Sequence, residues 1–293
     1  MDVVTRFIDG IHSKRINDGD RLILKTRRLP VMLKLNVLLE NRKAKDADGL
    51  TCRPGLSLLI DDGETRILFD TGPDAAFMHN AKKMGVSLDG IDWVVLSHGH
   101  YDHCGGLRHL QKLPKVLCHP GVYDQKYAGV MVFNRFIEIK KISTQLPPVK
   151  SNFHFTKDPY EISQRFIWSG EIESAKSYGY VRGEKVEPDA LNDEGVLIYK
   201  SKEGLVIFTG CGHKSLRNII EHCKKLTGIN TVHALVGGMH LRRAMPWTLL
   251  PLRHYIQDVN PERILTCHCT GKWGKLWLPG ADEINTGDII SII

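Results

Sequence analysis

The sequence predicts an α/β chain in which mixed β-sheets carry helices on their outer faces, arranged as one domain over residues 31–293. Three observations predict it. Short β-rich apolar runs recur between Gly and Asp clusters. In each half of the chain hairpin strands come first and strand–helix–strand units follow. No low-complexity tract and no repeat of roughly 20–50 residues interrupts that order.

Taken in order, the runs 31–39, 56–60, 66–69 and 93–96 are the first strands, with a charged loop at 41–49. Residues 74–84 read as a helix, and Gly85 is its stop. A helix over 105–113, ending near Pro114, and a strand over 115–118 follow. From Pro120 the pattern is lost in an aromatic-rich stretch broken by Pro147-Pro148, and 120–190 is expected to be a loop or lid segment. Regularity returns with a hairpin over 195–200 and 205–209, turning at Lys202-Glu203-Gly204. Helices over 215–226 and 248–259 alternate with strands over 232–236 and 263–266. Residues 271–278 and a strand near 288–292 close the chain.

An apolar fraction of 42% is enough for a sizeable core. No window reaches the roughly 18 uninterrupted apolar residues of a membrane span, so no membrane partner is expected. The start, MDVVTRFIDGIHSKR, lacks the apolar stretch of a secretory signal. Seven cysteines, an odd number without CxxC pairs, fit a reducing compartment, and the cytoplasm is the expected location. Residues 1–45 hold eleven Lys/Arg against five Asp/Glu, which is +6 of the net +7. Residues 1–30 therefore read as a basic, solvated N-terminal extension. With the basic excess confined to residues 1–45, no nucleic-acid partner is expected. A homodimer stays open.

The stretch Ser97-His98-Gly99-His100-Tyr101-Asp102-His103 follows the apolar run Trp93-Val94-Val95-Leu96. Imidazole nitrogen and carboxylate oxygen are ligands for zinc and similar divalent ions. A strand ending at Ser97 would let His98 and His100, two apart, point the same way. Asp102 and His103 would then sit at the mouth of a following helix and aim at a second point. Gly99 is expected to supply a tight, positive-φ bend between the imidazoles. The pattern reads as a pair of ligands for each of two adjacent metals.

Three more strand ends carry histidines: Gly210-Cys211-Gly212-His213, Gly237-Gly238-Met239-His240 and Cys267-His268-Cys269. Ligand sites gather outside the carboxyl ends of strands, so the four groups are expected to share one site. His213 and His268 are the added metal-ligand candidates.

The motif HxHxDH at 98–103, with Leu68-Phe69-Asp70-Thr71-Gly72 before it, resembles the metallo-β-lactamase superfamily. The groups at 210–213, 237–241 and 267–271 are similar to a narrower subgroup, the 7,8-dihydropterin-6-methyl-4-(β-D-ribofuranosyl)aminobenzene-5′-phosphate synthases. The resemblance implies a four-layer αββα sandwich: two mixed β-sheets face to face, with helices on the outer faces. It implies His98, His100 and His213 around one ion and Asp102, His103 and His268 around the other, with Asp70 fixing a ligand histidine. Two divalent ions, Zn2+ first and Fe or Mn as alternatives, would be the cofactors. This chain departs from the wider pattern at Cys211, where many members have a bridging Asp. It departs again at Asp193 or Glu194, near a place where many have a ligand His. His213 could take over that imidazole's part.

The function this implies is metal-dependent hydrolysis by hydroxide, with Asp102 and His240 as the candidate catalytic residues. His240 could protonate a leaving group or bind an oxyanion. The 121–190 segment offers Tyr123, Tyr127, Phe133, Phe136, Phe153, Phe155, Tyr160, Trp168, Tyr178 and Tyr180, with Arg135, Lys140 and Lys141 among them. They would suit a small phosphorylated substrate with a flat heterocycle, such as a pterin- or nucleotide-like phosphate ester or cyclic phosphodiester. Two alternatives remain, an iron-dependent redox protein on the same fold and a catalytically idle binding module.

Overall fold

Side chains on a strand alternate between its two faces, and here that alternation sorts the core into layers. A computed structural model of the chain describes residues 32–133, 135–148, 151–174 and 177–293. The extension expected at 1–30 lies outside them. In chain order the first strands are β1 (Lys34–Leu39), β2 (Ser57–Asp61), β3 (Arg66–Phe69), β4 (Trp93–Val95) and β5 (Lys115–Cys118). Next come β6 (Gln125–Val132), β7 (Arg135–Lys141), β8 (Phe153–Phe155), β9 (Tyr160–Glu161) and β10 (Phe166–Trp168). Then follow β11 (Tyr180–Arg182), β12 (Val186–Pro188), β13 (Leu197–Lys200) and β14 (Leu205–Thr209). The last are β15 (Val232–Gly237), β16 (Arg263–Thr266), β17 (Ala281–Glu283) and β18 (Ile289–Ser291). The helices are α1 (Ala76–Lys83), α2 (Tyr101–Cys104), α3 (Leu216–Thr227), α4 (Pro246–Val259) and α5 (Gly271–Leu276).

One sheet runs β18-β1-β2-β3-β4-β5-β8 and the other β17-β16-β15-β14-β13-β10-β9. Ile67 and Phe69 of β3, Val95 of β4, Leu197 of β13 and Val206 and Phe208 of β14 point into the cluster shared by both sheets. Their neighbours point outward. Leu68 and Val94 meet Phe77 and Ala81 of α1, while Ile198 and Ile207 meet α3 through Ile219 and Ile220 and α4 through Leu249 and Ile256. The layers are therefore helix, sheet, sheet, helix, the αββα sandwich. Removing one interior ring, as in Phe69→Ala, would cost about 3–5 kcal/mol through the cavity it leaves.

The 120–190 stretch differs from its expectation. It holds β6 to β12, of which β8 joins the first sheet, β9 and β10 join the second, and β12-β11-β6-β7 form a small third sheet. β8 and β10 pair with β5 and β13, and β6 with β11, from far along the chain, which local pattern could not reveal; β6–β7, β9–β10 and β11–β12 pair locally. The helix expected over 105–113 also differs. It starts earlier, as α2, and tightens into a 3-10 turn over Gly105–His109. A Cβ on Gly106 would lie 2.1 Å from the Thr71 carbonyl oxygen, so this segment trades helix propensity for close backbone approach. Among the described residues no helix is long and apolar enough to cross a membrane.

Candidate metal centre

In both sheets the strands that lead into the site pair in parallel, β3–β4 and β4–β5 on one side and β14–β15 and β15–β16 on the other. The residues just past β3, β4, β14, β15 and β16 meet one another. Gly210, after β14, lies against the loop after β4, where a Cβ would stand 2.1 Å from Ser97 Oγ. Asp70, after β3, adopts φ 58 and is fully buried. Its carboxylate accepts from Ser97 N, Ser97 Oγ and His103 Nδ1, each at 2.7 Å. His240 and His268 also have positive φ, 49 and 51. Such conformations cost of order 1–3 kcal/mol and cluster at functional sites.

The partners of the imidazoles decide which nitrogen faces the centre. Ser97 Oγ donates to Asp70, so it accepts from His98 Nδ1 at 2.9 Å. His103 Nδ1 donates to Asp70, and His213 Nδ1 donates to Glu194 Oε1 at 2.8 Å. His268 Nδ1 donates to Asn41 Oδ1 at 2.9 Å, the same oxygen that accepts from Gly55 N. Four rings thus engage Nδ1 in a supporting hydrogen bond and turn Nε2 inward. His98 Nε2 is 3.0 Å from His100 Nδ1, and His103 Nε2 is 3.2 Å from both His268 Nε2 and Cys211 Sγ. Asp102 Oδ2 stands 3.7 Å from His268 Nε2. His100 Nε2 is buried with no hydrogen-bond partner among the described residues.

Ring nitrogens this close must share either a proton or a cation, and the donors group around the positions a cation could take. His98, His100 and His213 form one set with ligand atoms within 4.8 Å, and Asp102, His103 and His268 form another. The electrostatics agree. Burial, reinforced by the neighbouring imidazoles, holds His98 and His100 well below the usual histidine range, so both offer lone pairs at neutral pH. Burial would also lower His103, but the Asp70 and Asp102 carboxylates outweigh it and lift the ring to about 9. That corner of the site attracts positive charge. The residues present fit divalent cations.

All six expected ligand candidates and His240 come together here. The His240 ring lies 4.4 Å from that of His213 and 4.9 Å from that of Tyr178, centre to centre. Cys211 is inside the cluster. Asp193 and Glu194 are supports instead of ligands: Asp193 accepts from Gly99 N at 2.7 Å, and Glu194 binds His213. Burial would raise Glu194, but His213 and the backbone N–H groups of His213 and Lys214 hold it at about 2. Gly99 has no positive φ. It is glycine because a Cβ would lie 2.7 Å from the Val122 carbonyl oxygen.

The sequence did not reveal four further residues. Glu40 Oε2 accepts from His268 N at 3.1 Å, and Asn41 orients the same ring. Lys126, almost fully buried, donates to Asp189 at 2.7 Å and Asp193 at 2.9 Å, bracing the Gly99 loop. Cys269 accepts from His240 N at 3.3 Å. Only the CHC grouping of Cys269 with His268 was a signal.

A cavity of about 910 Å³ opens over the cluster. His100, Asp102, His213, His240 and His268 reach it, and Lys140, Arg217, Arg242 and Arg243 line its wall. Of the aromatic side chains expected near a substrate, Tyr178 lines the cavity. Most of the others pack elsewhere: Trp168 is in the core, and Tyr123 meets Phe153 and Phe155. Tyr101 also lines it, with Lys140 Nζ 4.4 Å above its ring centre.

The fold and the histidine cluster define a class. The chain belongs to the metallo-β-lactamase superfamily, whose family model matches residues 50–223, and most members are metal-dependent hydrolases. Among curated proteins it is similar to two from Methanocaldococcus jannaschii. One is the uncharacterized protein MJ0448, 32% identical over 226 residues, 74% of this chain and 84% of that one. The other is 7,8-dihydropterin-6-methyl-4-(β-D-ribofuranosyl)-aminobenzene-5′-phosphate synthase, 28% identical over 237 residues, 74% of this chain and 81% of that one. Among solved structures it resembles Tm1679, described as a metal-dependent hydrolase of the β-lactamase superfamily. That match has TM-score 0.73 and 27% identity, covering 88% of this chain and 98% of the other.

Proposed function

We propose that the protein is a binuclear metallohydrolase acting on a phosphate ester or cyclic phosphodiester of a pterin- or nucleotide-like small molecule. One observation carries the reading: inward-turned imidazoles form the floor of a cavity whose wall bears Lys140, Arg217, Arg242 and Arg243. Cations on a wall above a metal-binding floor suit a phosphorylated anion. The likeness to the synthase, whose name carries a pterin and a phosphate, points to the same substrate class.

His98, His100 and His213 would hold one divalent ion and Asp102, His103 and His268 the other. Bound there, Zn2+ foremost, the ions would supply Lewis acidity towards water and towards a phosphoryl oxygen. The chain does the rest. Asp70, Glu194 and Asn41 keep the histidine lone pairs inward. The arginines and Lys140 hold the phosphate, and Tyr101 and Tyr178 flank the space for a flat ring. His240 stands beside His213 at the cavity surface, placed to hand a proton to the departing oxygen.

Elemental analysis of protein purified without added metal should find zinc near two per chain; dominant iron would favour redox chemistry instead. A panel of phosphodiesters, phosphomonoesters, thioesters and lactams, run beside His98→Ala, then selects the reaction. Undiminished turnover in His98→Ala excludes this mechanism.

A further inference from the structure

Of the seven cysteines, Cys104, Cys118, Cys223 and Cys267 pack in the apolar clusters, and Cys52 is half-buried outside the donor groups. Cys211 and Cys269 differ. Cys211 Sγ falls within 4.8 Å of three donor pairs: His98 with His103, His268 with Cys269, and His213 with His240. It is the one donor atom shared by three such groups among the described residues. Cys269 Sγ reaches the same place from beyond β16 and lines the cavity with Cys211. A Cβ on Gly238 would stand 2.8 Å from Cys269 Sγ, so the absence of a side chain there makes room for the sulfur.

We infer that Cys211 and Cys269 are metal ligands, Cys211 as a sulfur shared between the two ion positions and Cys269 as a further donor beside His268. The inference rests on the metallohydrolase reading and deepens it by naming the class of ion. Thiolate donors select borderline and soft cations such as zinc, cobalt or cadmium over magnesium and calcium, which prefer oxygen. Binding releases the thiol protons to solvent, because the ligand is the thiolate. Two thiolates with the Asp102 carboxylate then offset most of the charge of two divalent ions.

The test uses the full chain, stripped of metal under reductant and titrated with cobalt(II), with bound cobalt counted by equilibrium dialysis. The wild type should show an intense near-ultraviolet sulfur-to-cobalt charge-transfer band as well as the weaker visible bands of bound cobalt. Cys211→Ser and Cys211→Asp should lose most of that band while keeping the visible bands, which shows that the fold and histidine ligands remain. Cys269→Ser should lose part of it, and Cys223→Ser none. Cobalt bound to wild type without the near-ultraviolet band overturns the thiolate inference and leaves the histidine site standing. An undiminished band in Cys211→Ser overturns it for Cys211. Failure of the wild type to bind cobalt overturns both.

Discussion

His103 Nε2 and His268 Nε2 face each other at 3.2 Å, while each ring engages its Nδ1 in a supporting hydrogen bond. The residues stand 165 positions apart in sequence and enter from different sheets. Without a metal ion the contact holds only by sharing a proton, which the His103 ring, lifted to about 9, can supply. With a metal ion it is a clasp.

Metal removal should therefore destabilise the protein. With free metal roughly 100–1,000 times above its Kd, the loaded form gains about 3–4 kcal/mol over the stripped form. Thermal unfolding with and without a chelator measures it. Identical transitions would mean that no ion binds the folded chain selectively.

Asp70 should matter through the histidine beside it. In Asp70→Asn the charge that holds the His103 proton on Nδ1 is gone, and metal affinity should fall roughly 10–100-fold. Competition against a chromophoric chelator reads this directly, and unchanged affinity would refute the role.

Lys126→Met should be severe although the residue is remote from the cavity. It leaves Asp189 and Asp193 buried beside a methyl group, a loss of about 3–5 kcal/mol. Burial would lower the ammonium, but the two carboxylates raise it above its ordinary 10.5. The pairing therefore stabilises the fold fully below pH 10.5 and fades as pH climbs through the raised value. Denaturant melts should show a gap between wild type and variant that is constant near neutrality and narrows in strong alkali, and again in acid as the carboxylates protonate, burial having raised Asp193.

His240→Ala should lower kcat by about 10²–10⁴ while leaving metal content unchanged, if the ring protonates the leaving group. A substrate with a very acidic leaving group should regain most of the lost rate. Equal losses on both substrates would assign His240 a structural part.

Arg242→Ala should raise KM for a phosphorylated substrate far more than for its uncharged analogue. Equal changes in the two would remove the phosphate from that wall.

The sequence was most readable where neighbours in the chain are neighbours in space. β3, β5, β14 and β16 fall at their expected bounds, because each is a short apolar run bounded by turn residues. The 98–103 cluster was legible for the same reason. β6 and β11 pair 53 residues apart, Tyr127 with Tyr180, and neither has the periodicity to announce a sheet. Nothing local marks Lys126, because its carboxylate partners lie 63 and 67 positions away. Asn41 falls in the charged loop expected at 41–49 and Glu40 just before it, and only the return of the chain at His268 gives them work.

Gly210 has one more consequence. Its α-carbon fills the whole gap between the loop after β14 and the Ser97–Asp70 pair after β3 and β4, where a methyl group would overlap Ser97 Oγ. The two halves of the protein are thus matched like lock faces cut to one tolerance. A chimera that takes its first half from one family member and its second from another should fold each sheet yet misplace the histidines. A side chain at position 210 would need a smaller residue at position 97 to make room for it.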